Sequence, residues 1–120
     1  MLLNLTNHPS AKWPVEQLAT ALAQFGNVED MPFPNISPQA TEQEIERLAH
    51  EFFEEIGKRT ASSPNIAVHL MGEMTFCFRL VSLLKKSGIR VVASTTERLL
   101  LEESEGKKTA VFRFVKFREY

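Results

Sequence analysis

Cysteine and aspartate each occur once in this chain of 120 residues, as Cys77 and Asp30. One cysteine forbids an internal disulfide framework and any zinc site built on several thiolates, and it fits a reducing cytoplasm. One aspartate excludes the spaced aspartate pair of a phospho-receiver. Position 83 is Leu, so Cys77 also lacks the C-x5-R arrangement of a phosphatase loop. Histidines stand only at 8, 50 and 69, too scattered for a metal motif. Charge of one sign is missing as well: 14 basic residues face 15 acidic ones, for a net charge of −1. Such a chain has no broad field to draw in duplex DNA or long RNA, although a small anion can still find a locally positive site. No apolar run reaches the roughly 18 residues of a membrane span. Met1–Leu5 has neither the charged start nor the long apolar stretch of a secretory leader, so a cytoplasmic protein is expected.

What is present is ordinary for one globular domain, expected over 1–120: 43% hydrophobic and 24% charged residues. Gly26, Gly57 and Gly88 lie 31 residues apart and read as helix stops. Each predicted helix follows a strand and a polar turn: Thr6–Ser10, the Pro-rich stretch after Met31, and Gly72–Thr75. A fourth polar turn, Ser94–Arg98, is expected after a strand over Ile89–Ala93. The fold class is therefore α/β: a Rossmann-like, open, mainly parallel sheet with three helices and a C-terminal antiparallel hairpin. In such sheets the turns collect at the carboxyl edge, where ligands bind.

Leu2–Thr6 reads as a buried first strand with an asparagine inside it. Trp13-Pro14 opens a helix with Leu18, Ala21, Leu22 and Phe25 as its apolar stripe. A weak strand is expected within Asn27–Phe33, and prolines 32, 34 and 38 forbid helix beyond it. Thr41 and Glu44 form a capping box for a helix carrying Ile45, Leu48, Ala49, Phe52, Phe53 and Ile56. Ile66–Met71 is a third strand, and Thr75 is the expected cap of a helix with Phe76, Leu80, Leu83 and Leu84 inside. The hairpin pairs Leu99–Leu101 with Ala110–Phe117 around the charged turn Glu102–Lys108. Its last strand reads as an edge blunted by basic residues, or as a contact surface for a second chain through Phe114 and Phe117.

Three of the turns carry side chains suited to binding. Asn7, His8 and Ser10 offer an amide, an imidazole and a hydroxyl, and His8 is a candidate acid or base near neutral pH. Turn bonds and helix capping are the structural alternative for Asn7 and Ser10. Gly72, Glu73 and Thr75 sit at a strand-to-helix junction, where glycine permits close approach and free N–H groups attract anions. Ser94, Thr95 and Thr96 bring hydroxyls, with Arg98 just beyond as a guanidinium for phosphate or carboxylate. Lys12 is a second cation, read as solvated surface, and His69 reads as a hydrogen-bonded core histidine. No residue set here points to a metal or a bound cofactor.

Asn7-His8-Pro9 after the first strand and Gly-x-x-Thr at Gly72–Thr75 resemble the CRISPR-associated Rossmann fold family, especially its small stand-alone members, some of which are ring nucleases. The likeness runs from about Leu2 to Thr96. It implies a homodimer of type III CRISPR antiviral defence whose carboxyl-edge turns bind cyclic oligoadenylate, most often cyclic tetra-adenylate. The contacts it implies are Asn7, Ser10, Gly72, Glu73, Thr75, Ser94, Thr95 and Thr96. Ring opening, where it occurs, would be metal-independent attack of a ribose 2′-hydroxyl on the adjacent phosphate, with His8 and Arg98 as catalytic candidates. A sponge that binds without cleaving, a module for another small anionic nucleotide, and an interaction subunit acting through the hairpin are the alternatives.

Overall fold

The computed structural model describes residues 1–102 and 104–120. Glu103, expected in the hairpin turn, lies outside them. Strand β1 (Leu2–Leu5) is buried at every position, as a central strand of a parallel sheet must be. The chain continues through a 3-10 turn (Ser10–Lys12), α1 (Val15–Phe25), β2 (Val28–Asp30), α2 (Glu42–Ser62), β3 (Ala67–Leu70), α3 (Met74–Lys86), β4 (Arg90–Glu102) and β5 (Lys108–Glu119). The sheet runs in the order β2-β1-β3-β4-β5. Neighbours are parallel up to β4, and β5 closes the edge antiparallel to β4. The expected α/β class, with its mainly parallel sheet, three helices and antiparallel end, is the observed one. No helix among the described residues is long and apolar enough to cross a membrane.

Successive side chains of a strand face opposite sides, and each side of this sheet has its own core. Leu3, Leu5, Val68 and Leu70 pack under α2 and α3 with Ile45, Ala49, Ile56, Phe76, Leu80 and Leu84. Leu2, Ala67 and Val92 pack under α1 with Trp13, Ala21, Phe114 and Phe117. Phe114 and Phe117 are thus core residues at the sheet edge, and the expectation that they form a contact surface is corrected. Phe117 stacks edge-on against Phe25 and His69.

Three local expectations also change. Gly57 does not stop the second helix, because α2 runs on to Ser62. A glycine inside a helix costs only about 1 kcal/mol, and the buried Ile56 beside it anchors that turn to the core. The residue that ends α2 is Ser63, where Pro64 disfavours helical backbone. Thr41 does accept the Glu44 N–H, although no return bond from the Glu44 side chain forms among the described residues. Finally, Ser94–Arg98 is not a turn. β4 continues through it, since β5 pairs with it from Val92 to Glu102 with one register shift at Thr95/Thr96. The backbone bonds that a turn would have left open are met by β5, and β-branched threonines suit a strand.

The β4–β5 ribbon runs on past the end of the parallel strands, and the molecule measures 53 Å along its longest axis. Its radius of gyration is 16.3 Å, against about 14 Å for a compact chain of this length.

Candidate functional site

The register of the sheet lines up a polar row inside an apolar core. Asn4 pairs with Asp30 on β2 and with His69 on β3. Ser94 lies two residues beyond Val92, the partner of His69 on β4, and so shares its face. Side-chain bonds link the row end to end. Asn4 Nδ2 donates to Asp30 Oδ1 at 2.8 Å. Asn4 Oδ1 meets His69 Nδ1 at 3.0 Å. His69 Nε2 meets Ser94 Oγ at 3.1 Å.

The pattern of donors settles the imidazole tautomer. Both Nδ2 protons of Asn4 are committed, one to Asp30 and one to the His8 carbonyl at 2.9 Å. Its Oδ1 is therefore the atom facing His69, and Thr6 Oγ1 also donates to it at 3.0 Å. A carbonyl oxygen only accepts, so the proton resides on Nδ1 and Nε2 presents a lone pair to the Ser94 hydroxyl. His69 is 2% exposed, held edge-on by Trp13 and Phe117 with both centroids at 5.4 Å. Burial, aided by His8, pushes its pKa down to about 4, so the ring is neutral at physiological pH. Burial alone would raise the Asp30 carboxyl. Donation from Asn4 and from both Ser10 groups outweighs it and holds Asp30 below its ordinary value.

Ser94 opens onto a cleft of about 390 Å³. The cleft sits above the carboxyl ends of β1 and β3, where the strand order reverses from β2-β1 to β3-β4 and α/β sheets commonly bind ligands. Thr6, Asn7 and His8 from the first turn, Met71 and Gly72 after β3, and Ser94 and Thr96 on β4 form its sides. Trp13, Pro14 and Gln17 wall it on the α1 side, and Lys12 supplies a cation. Trp13 Nε1 donates to the His8 carbonyl at 3.0 Å, which ties the first turn to the wall.

The expected site residues divide. Asn7, His8, Gly72, Ser94 and Thr96 line the cleft together. Ser10 instead clamps the back of the row, its N–H and hydroxyl both on the Asp30 carboxylate at 3.0 and 2.9 Å. Thr95 faces away and donates to the Lys116 carbonyl at 3.2 Å. Arg98 sits on the exposed ribbon, outside the cleft lining, opposite Phe112. Glu73, not Thr75, caps α3. Its carboxylate accepts from the Thr75 hydroxyl and from the N–H groups of Thr75 and Phe76 at 2.6 and 3.3 Å. Those bonds, the Thr75 hydroxyl first, hold Glu73 below its ordinary pKa. The helix start thus has its own anion, so the N–H groups of Thr75 and Phe76 are not free to attract a ligand as the junction suggested.

Thr6, Lys12, Trp13, Pro14, Gln17, His69 and Met71 are the lining residues that the sequence reading left out of the site. The visible signal was polarity in the wrong place: Asn4 and His69 in buried strands, and Gln17 on the inner face of α1. Among the described residues no cluster of three or more His, Cys, Asp or Glu could hold a metal. The buried Cys77 thiol is pushed up to about 11, chiefly by desolvation, and is inert at neutral pH.

Gly72 fixes how closely the core under α2 and α3 approaches the cleft. A Cβ there would come within 2.3 to 2.9 Å of three ring atoms of Phe33, a ring itself held against Phe76 at 5.4 Å. Gly72→Ala is expected to cost about 1–3 kcal/mol, read by urea denaturation. A cost below about 0.5 kcal/mol would mean that Phe33 yields freely.

No curated protein and no solved structure matches the chain. A family model described as "Uncharacterized protein MJ1673 family" matches residues 1–118, and with this coverage the chain belongs to the MJ1673 family.

Proposed function

We propose that the cleft binds a small nucleotide-class anion, and that the physiological ligand is a cyclic oligoadenylate, bound in the cytoplasm. The observation that carries the reading is the position of the cleft, at the strand reversal with an in-register polar row behind it. Supporting chemistry lies around the cleft: an indole and a thioether for a base, hydroxyls and an amide for a ribose, and Lys12 for a phosphate. The resemblance to CRISPR-associated Rossmann fold proteins supplies the choice of cyclic oligoadenylate among nucleotides.

A volume of 390 Å³ lies near the lower end of the range for ligand pockets, about 300–1,000 Å³. It suits one nucleotide unit better than a cyclic tetramer, so the ligand is shared between two copies. The ribbon favours such a homodimer. Leu100 and Phe112 are 62% and 63% exposed. By the pairing of β4 with β5 they lie on the ribbon face that Phe114 continues into the core. Exposed apolar faces of this kind mark contact sites, and a lone two-stranded ribbon is only marginally stable.

Titration calorimetry with cyclic tetra-adenylate at micromolar protein is the test, with one ligand bound per two chains expected. No heat would remove the ligand reading. By sedimentation, the double variant Leu100→Asp/Phe112→Asp is expected to be monomeric and folded, with affinity at least tenfold weaker. A wild type that is monomeric with and without ligand would remove the shared site.

A further inference from the structure

The floor of the cleft holds one polar group that nothing in the fold uses. Thr6, Trp13, Gln17 and His69 are its buried lining residues. Three of them spend their polar atoms inside the protein. The Thr6 hydroxyl bonds Asn4 Oδ1 and the His8 backbone. The Trp13 indole donates to the His8 carbonyl, and both His69 nitrogens are held, by Asn4 and by Ser94. Gln17 differs. It is 8% exposed, yet among the described residues its side-chain amide has no hydrogen-bond partner. No sealed-off side-chain nitrogen or oxygen is left unbonded among the described residues, so the Gln17 amide opens into the cleft that it lines. Stability alone does not account for it. Gln17 and Ala21 are the buried residues of α1, and an apolar side chain at 17 would strand no donor or acceptor there.

What completes this amide follows from where charge is absent. No carboxylate lines the cleft, and its one permanent cation, Lys12, stands on the exposed rim beside His8. The imidazole on the floor is neutral. The floor therefore suits an uncharged group, since a charge desolvated there would find no opposite charge. A side-chain amide offers an N–H donor and a C=O acceptor side by side in one plane. Among the described residues nothing fixes which way round it lies. Its complement is a flat group with a donor next to an acceptor, in either order. A site built around such a buried group discriminates strongly, because an analogue that lacks the partner leaves the group unpaired.

We propose that Gln17 is the specificity-determining residue of the cleft, and that it reads the edge of an uncharged planar heterocycle carrying a hydrogen-bond donor beside an acceptor. The charged part of the ligand stays at the rim with Lys12. This rests on the nucleotide reading of the same cleft and assigns the base to the floor. A 6-amino purine presents its amino N–H beside N1, and a 6-oxo purine presents its N1–H beside the oxygen. The amide meets both by turning over. A purine with no substituent at position 6 keeps the acceptor and lacks the donor, so it satisfies only half of the amide.

The experiment is a titration followed by nitrogen–proton correlation spectra, with the side-chain amide signals of Gln17 identified by their loss in Gln17→Met. The probes are the 5′-monophosphates of adenosine, inosine and purine riboside, with ribose 5-phosphate as the control that lacks a base. Wild type is expected to bind the first two about equally and to shift the Gln17 signals. It is expected to bind purine riboside monophosphate about tenfold more weakly or worse, and ribose 5-phosphate more weakly still. Gln17→Met, close in length and shape, is expected to level the three purines and to unfold at no lower urea concentration than wild type. Equal affinity of wild type for all three purines, or for ribose 5-phosphate and adenosine monophosphate, would overturn the inference and leave the nucleotide reading standing. So would Gln17 signals that stay in place, a variant that keeps the preference, or one less stable than wild type. Binding of none of the four probes would overturn both.

Discussion

Phe117→Asp is expected to unfold most of the protein at 25 °C. The ring is 8% exposed and stands where the second core meets the site. It contacts Trp13, Phe25, His69 and Phe114 at centroid distances of 6.2, 5.8, 5.4 and 5.1 Å. Truncating a buried phenylalanine costs about 3–5 kcal/mol. A carboxylate left among Trp13, Phe25 and Phe114 adds the cost of an unpaired buried charge. Domains of this size have about 5–15 kcal/mol in all, so a loss above about 4 kcal/mol is decisive. Circular dichroism and urea denaturation would show it, with Phe112→Asp as the comparison. Phe112 is exposed on the ribbon, and its replacement should leave the monomer within about 0.5 kcal/mol of wild type. If Phe117→Asp folds as well as Phe112→Asp, the second core is not what holds β5 to the sheet.

That pair of variants also marks where reading the chain as sequence reached its limit. The order of strands and helices was legible because period and punctuation agreed: Gly26 and Gly88 do end their helices, with φ of +88° and +76°. Gly57 looked the same and was not, since a glycine stops a helix only when the next residues cannot continue it, and neither proline nor a polar loop comes before Ser62-Ser63-Pro64. The hairpin was legible as a hairpin, yet not which of its phenylalanines face inward. The register shift at Thr95/Thr96 breaks the simple alternation that would have put Phe117 on the face opposite Phe114, and Phe112, on the same face as Phe114, is exposed because the ribbon there runs beyond the core.

The site was half legible for a related reason. The first turn and Gly72 reach the cleft because they come directly after strands, a rule of local chain order. Ser94 reaches it for a different reason, as one position of a long strand. The polar row depends on the pairing of four strands, which no local pattern states. Asn4 and His69 are separated by 65 residues and meet only through register. Two polar residues in strands otherwise fully apolar were the trace of that meeting.

The same row makes the fold sensitive to mild acid. The unfolded chain protonates His69 at its ordinary value of 6.5, whereas the folded chain holds it neutral down to about 4. Between those values the unfolded state binds more protons, so stability rises with pH and falls as pH drops. The contribution is complete above pH 6.5 and declines by about 1.4 kcal/mol for each pH unit below it. It levels off near pH 4, after a total loss of about 3 kcal/mol. Asp30 and Glu73, both held below their ordinary values of 3.8 and 4.5, lose their own contributions as pH falls through that lower range. The interval from pH 6.5 to 4.5 therefore belongs mainly to the imidazole. Urea denaturation at pH 7.5, 6.0 and 5.0 is expected to show the decline, and a flat profile over that interval would contradict the buried neutral ring. The loss has a structural meaning too. A second proton must enter at Nε2, where it displaces the acceptor that Ser94 faces, so protonation and disconnection of the row are one event.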